Sequence, residues 1–143
     1  MAAYNKFNDF IEQVFLGKHL LGTHVFKIFL SNEQPLAADT VKADIADITA
    51  GNGYTAGGTD AALTEAEAAG TLTVTGTSVL WTASGGTIGP FQFVVCYNDT
   101  QTAPADALVC WWDRAAALTL QDGESFRWKP NNSATTGTVF TAA

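Results

Sequence analysis

Short runs that alternate in a two-residue period recur along this chain, and no other feature of the sequence constrains its fold as much. Ala62-Leu63-Thr64-Glu65-Ala66, Thr71-Leu72-Thr73-Val74-Thr75 and Val79-Leu80-Trp81-Thr82 are each bounded by Gly or Ser. Successive side chains of a strand point to opposite faces, so such runs form antiparallel strands with one dry face and one wet face. The strongest β signal is Gly89-Pro90-Phe91-Gln92-Phe93-Val94-Val95-Cys96-Tyr97, joined through a polar link to Leu108-Val109-Cys110-Trp111-Trp112-Asp113. That pair predicts a long hairpin. A second, tighter hairpin is expected where Ala117-Leu118-Thr119-Leu120 meets Ser125-Phe126-Arg127-Trp128-Lys129 across an Asp122-Gly123 turn. Strands are also expected at His24–Leu30 and Gly137–Thr141, a short helical turn within Leu36–Ile48, and a loop at Gly51–Gly58. The fold class is therefore mainly β, an antiparallel β-sandwich or barrel.

The N-terminal segment has a different period. Phe7, Phe10, Ile11, Val14 and Phe15 line one face of a helix, and Gly17 offers a left-handed stop. This predicts a helix over Asn5–Leu16. Its apolar face either covers the end of a sheet, the usual fate of such a face, or forms an arm exposing Tyr4 and Phe7 to a neighbouring subunit. The chain has 143 residues, enough for one hydrophobic core. A single β-domain is expected over 1–143, with the N-terminal arm or helix in 1–22 and the sandwich or barrel in 23–143.

Charged residues make up only 15% of the chain, so Thr, Ser, Asn, Gly and Ala must cover much of the exterior. Such a surface is cheap to desolvate. A net charge of −7 with seven basic residues scattered in sequence argues against a nucleic-acid partner. No apolar run reaches the ~20 residues of a membrane span, and Met1–Phe10 lacks the pattern of a secretory signal. The expectation is a chain made in a cytosol, without a membrane partner.

Residues able to do chemistry are present, but not in patterns that do it. Cys96 and Cys110 stand on the two arms of the predicted hairpin without the Cys-x-x-Cys spacing of zinc or redox sites. They are read as buried apolar thiols, with a disulfide, within the chain or between subunits, as the alternative. Glu65, Glu67, Asp99, Asp113, Asp122 and Glu124 fall at turns or on wet strand faces and read as solvated charge. His19 and His24 flank a helix-to-strand join with no nucleophile motif beside them. The Gly51–Gly58 loop has the glycines of a phosphate cradle without its Gly-Lys-Ser/Thr ending. No catalytic, cofactor or metal role is expected. Alternation puts Trp111 and Trp112 on opposite sides of one strand, one in the core and the other at an interface.

Tyr4-Asn5-Lys6-Phe7-Asn8-Asp9-Phe10, Gly51-Asn52-Gly53-Tyr54-Thr55-Ala56-Gly57-Gly58, Trp81-Thr82-Ala83-Ser84-Gly85-Gly86-Thr87-Ile88-Gly89-Pro90-Phe91 and Tyr97-Asn98-Asp99-Thr100 resemble a family of small tailed-bacteriophage virion structural proteins. The resemblance implies a capsid decoration or cement protein. It would be a homotrimer on the outer capsid surface, assembled in the bacterial host cytoplasm, with the major capsid protein and itself as partners. Candidate subunit contacts are Tyr4, Phe7, Tyr54, Asp99, Thr100 and Trp112, on the Ala2–Phe10 segment, the Gly51–Gly58 and Asp99–Asp106 loops and strand 108–113. The alternative is a tail or receptor-binding component contacting host surface glycan.

Overall fold

The computed structural model describes residues 3–143 and is mainly β. Its strands are β1 (Tyr4–Lys6), β2 (Phe26–Ser31), β3 (Thr59–Asp60), β4 (Thr64–Ala68), β5 (Thr71–Thr77), β6 (Val79–Thr82), β7 (Ile88–Asn98), β8 (Leu108–Leu120), β9 (Ser125–Trp128) and β10 (Thr136–Ala142), with one α-helix, α1 (Asp9–Phe15). All named pairings are antiparallel. A five-stranded sheet runs β1-β8-β7-β2-β3, beside a three-stranded sheet β10-β5-β4 and a pair β6-β9.

The large sheet is buried on both faces, which explains why β2 and β7 read as nearly unbroken apolar runs. Phe26, Ile28, Leu30, Val94, Cys96 and Trp112 join a main core with Val74, Val79, Trp81, Trp128 and Val139 from the two smaller sheets. Phe29, Phe93, Val95, Tyr97 and Trp111 form a second core with Phe7 and Ile45. Ile45 arrives there from the short 3-10 turn at Lys42–Asp44, inside the segment where a helical turn is expected. Three register shifts interrupt the pairing of β7 with β8, at Ile88/Phe91, Phe91/Phe93 and Cys96/Tyr97. The second separates Phe91 from Phe93, which therefore enter different cores although they lie two residues apart; the third, at Cys96/Tyr97, brings Val109 and Cys110 into the same core.

The long hairpin forms, with Cys96 directly opposite Cys110. The tight one does not. The 117–120 run continues β8 and pairs with β7, whereas β9 pairs with β6. The Asp122-Gly123 turn instead meets Ala83, through Gly123 N–H to Ala83 O at 2.8 Å and Ala83 N–H to Glu124 O at 2.8 Å. Leu120 and Trp128 both reach the main core by this route, which a two-stranded ribbon turned back on itself would not allow.

The helix is also shorter than its periodicity suggests. Residues 4–6 pair with Trp112, Trp111 and Cys110, so helical winding begins only at Asp9. Among the described residues no helix is long and apolar enough to cross a membrane.

Candidate functional site

Entry through β1 sets which way α1 faces. Phe7 seats in the second core against Trp111, ring centres 4.6 Å apart, and Phe10 seats in the main core beside His19 and Phe140 at 5.2 and 5.6 Å. With Phe10 inward and Val14 packed behind it, Ile11 and Phe15, one turn apart, are left on the outward side. Ile11 is 41% exposed, Phe15 86%, Leu16 60% and Leu20 48%. Four large apolar side chains in one ten-residue stretch thus meet water. The helical period put Ile11 and Phe15 on one face with Phe10 and Val14, and the structure turns them outward, because the period gave no sign that β1 would claim residues 4–6.

Behind this segment lies a polar knot. Asn98 is fully buried, and its Oδ1 accepts from the backbone N–H groups of Thr100 (3.0 Å) and Gln101 (3.2 Å). Since backbone N–H groups only donate, the carboxamide orientation follows, and Nδ2 donates to His19 Nδ1 at 3.1 Å and His24 Nδ1 at 2.9 Å. Lys18 O, at 3.3 Å, is a third acceptor within reach of the same amide nitrogen. Burial, with His24 nearby, lowers the His19 pKa from 6.5 to about 4. Asp99 and Thr100 stand exposed on the same turn; Asp99 pairs with Lys27 at 2.9 Å, and Thr100 Oγ1 accepts from Val25 N–H at 2.9 Å.

The Gly51–Gly58 loop is sewn down. Tyr54 is buried, its hydroxyl accepting from Leu30 N–H at 3.0 Å and donating to the Asp47 carboxylate in a short hydrogen bond. Asp47 also accepts from Gly57 N–H at 2.7 Å and pairs with Lys42 at 3.3 Å, while Tyr97 donates to Gly57 O at 2.8 Å. Gly58 has φ +77°, and a Cβ there would lie 1.8 Å from the Ile28 carbonyl oxygen, so only glycine lets the loop meet β2. Replacing Tyr54 with Phe strands Leu30 N–H and removes one donor from Asp47, an expected loss of ~2 kcal/mol measurable by denaturant unfolding.

Cys96 and Cys110 are buried free thiols. Burial and the neighbouring Cys96 raise the Cys110 pKa well above its ordinary value, which removes the reactive thiolate. Iodoacetamide is therefore expected to leave the folded protein unmodified at neutral pH and to label both cysteines once it is unfolded.

All four tryptophans are buried, at 3% (Trp81), 8% (Trp111), 2% (Trp112) and 4% (Trp128) exposure. Trp111 and Trp112 do occupy opposite faces, in the second and main cores, but neither remains for an interface. The indole N–H groups of Trp81, Trp112 and Trp128 have no hydrogen-bond partner. A buried unpaired donor costs about 1–3 kcal/mol. Trp112 and Trp128, crossing edge to face at 5.0 Å, line a cleft of about 540 Å³ together with Phe126, Arg114, Arg127 and Lys129. Three of the chain's seven basic residues thus meet in one place although they are scattered in sequence.

Three of the expected contact residues need correction. Phe7, Tyr54 and Trp112 are buried at 0%, 3% and 2% exposure, because the chain's own cores use their rings. Tyr4 is half-buried, touching Trp112 and Phe140 at 6.1 and 5.6 Å, and burial holds its hydroxyl pKa far above the usual range. Asp99 and Thr100 alone of the six lie on the exterior. The sequence matches no protein-family model, no curated protein and no solved structure.

Proposed function

We propose that this chain is a virion structural protein of the capsid decoration or cement type, which stabilises a phage head by bridging neighbouring major capsid protein subunits from the outer surface. The observation that carries the reading is the exposed apolar row Ile11, Phe15, Leu16 and Leu20. A monomer gains nothing by holding Phe15 in water, and an exposed apolar patch on a folded domain marks a surface meant to be covered. Burying each such side chain supplies roughly 1.5–3 kcal/mol. The remaining exterior, poor in charge, adds flat area at low desolvation cost. A homotrimer repeats the contact, so modest contacts sum to a firm clamp.

The alternative, a tail component that stacks host glycan on an exposed aromatic, is less well supported. Its natural platforms, the tryptophans, are all buried, and the other large apolar side chains exposed near Phe15 in sequence, Ile11, Leu16 and Leu20, are aliphatic. The separating experiment adds the purified chain to empty capsids. The decoration reading expects saturable binding and a raised capsid melting temperature; binding to host cells or tails with no effect on capsids would overturn it.

A further inference from the structure

We infer that the cleft between β8 and β9 is a binding site for carboxylate side chains, occupied by an acidic polypeptide segment of a partner protein. This goes beyond the apolar face and involves no residue of it. The cleft carries Arg114, Arg127 and Lys129 in a chain whose net charge is −7, so it is cationic on an otherwise acidic molecule. None of the three makes an ion pair among the described residues.

The groups that line it are mostly donors. Arg114 uses Nη1 on Ala116 O at 2.8 Å while its guanidinium lies over the Phe126 ring at 5.4 Å, and Arg127 uses Nη1 on Ser78 Oγ at 3.0 Å, which leaves further guanidinium N–H groups on each. The unpaired indole N–H groups of Trp112 and Trp128 are buried, so the donors the cleft offers to a ligand are the two guanidinium groups and the Lys129 ammonium. The one acid at the wall, Asp113, accepts through Oδ1 from Gln92 Nε2 at 2.8 Å and Ala115 N–H at 2.7 Å, and its single negative charge is outnumbered by the three cations. A site of donors and cations selects an acceptor that is negative and planar, which describes a carboxylate.

Two observations favour a peptide as its carrier. The Trp112 and Trp128 faces are buried, so a sugar ring has only the half-buried Phe126 to stack on. A nucleic acid strand would also bring many charges towards a molecule that repels them outside the cleft. Discrete Glu or Asp side chains ask for no more than the cleft contains.

Because tryptophans line the site, intrinsic fluorescence can report its occupancy. The probes are an acetylated, amidated tetraglutamate peptide, a glucuronate tetrasaccharide and inorganic phosphate, titrated into the whole chain at low salt. The inference expects a saturable change with the peptide, weakened at least tenfold by 0.3 M salt and by Lys129→Glu, with Lys18→Glu as a control that leaves it unchanged. Circular dichroism melts confirm that each variant folds, and Arg127→Gln gives a second test if Lys129→Glu does not. No saturable response to the peptide, equal binding by the cleft variants, or tighter binding of the tetrasaccharide or phosphate than of the peptide would each overturn it. Capsid attachment through the Phe15 face is read separately, so failure here leaves that reading intact.

Discussion

Replacing Phe15 with aspartate is expected to leave the fold unchanged and to weaken capsid attachment by at least ~100-fold. The side chain is 86% exposed, so its removal opens no cavity, and surface substitutions of this kind usually change stability by no more than about 0.5 kcal/mol. At a covered interface the result differs in kind. The loss comprises roughly 1.5–3 kcal/mol of ring burial plus the cost of desolvating an unpaired carboxylate, and each ~1.4 kcal/mol is tenfold in affinity. In the proposed homotrimer, three copies acting together would magnify the deficit. Co-sedimentation with empty capsids, beside a thermal melt of the free variant, reads both halves of the expectation. The contrast is Phe10→Asp, one helical turn away from Val14 and 2% exposed, which should fail to fold at all.

The second large effect is on acid stability. His19 is 5% exposed and has its pKa lowered to about 4 from 6.5, so the folded state favours the neutral ring. Above pH 6.5 both folded and unfolded chains carry it neutral, and this contribution to stability is complete. Between pH 6.5 and 4 the unfolded chain binds a proton that the folded chain refuses, so stability falls as pH falls. The total is ~3 kcal/mol at one pKa unit per ~1.4 kcal/mol, with Asp9 already opposing the shift. Geometry gives the same sign, since protonating Nδ1 would set a donor against the Asn98 amide N–H. Asp44, whose pKa is lowered by the Thr40 and Val41 N–H groups, acts in a separate and more acid window. Denaturant unfolding at pH 7.5, 6 and 5 should show this decline. His19→Phe, which keeps a ring beside Phe10 and Phe26, should start lower at pH 7.5 but slope less. Equal stability at pH 7.5 and 5 for the parent chain would contradict the account.

The β architecture was readable from the sequence because alternation is a local property. Val79–Thr82 forms β6 with its expected bounds, and the hairpin that joins Cys96 to Cys110 follows from two strong apolar runs. Partner choice was not readable. Asp122-Gly123 turns the chain as its residues require, yet whether β9 returns to β8 or crosses to β6 is decided by where Trp128 and Leu120 find a core. The candidate contacts went astray for a related reason. By sequence Phe7 belongs to the expected helix, Tyr54 to a loop and Trp112 to the end of a strand, and only the second layer over the large sheet, which includes Ile45, buries a ring such as Phe7. The basic cleft was invisible because Arg114 on β8 and Arg127 on β9 belong to different sheets, with Lys129 just beyond the end of β9. Nothing local announces that they converge.

Electron cryomicroscopy of capsids saturated with this chain tests the central claim most directly. The account predicts density at the junctions between major capsid protein subunits on the outer surface, with residues 11–20 turned into the contact. Density confined to the tail, or a capsid-bound chain whose Phe15 faces solvent, would contradict it.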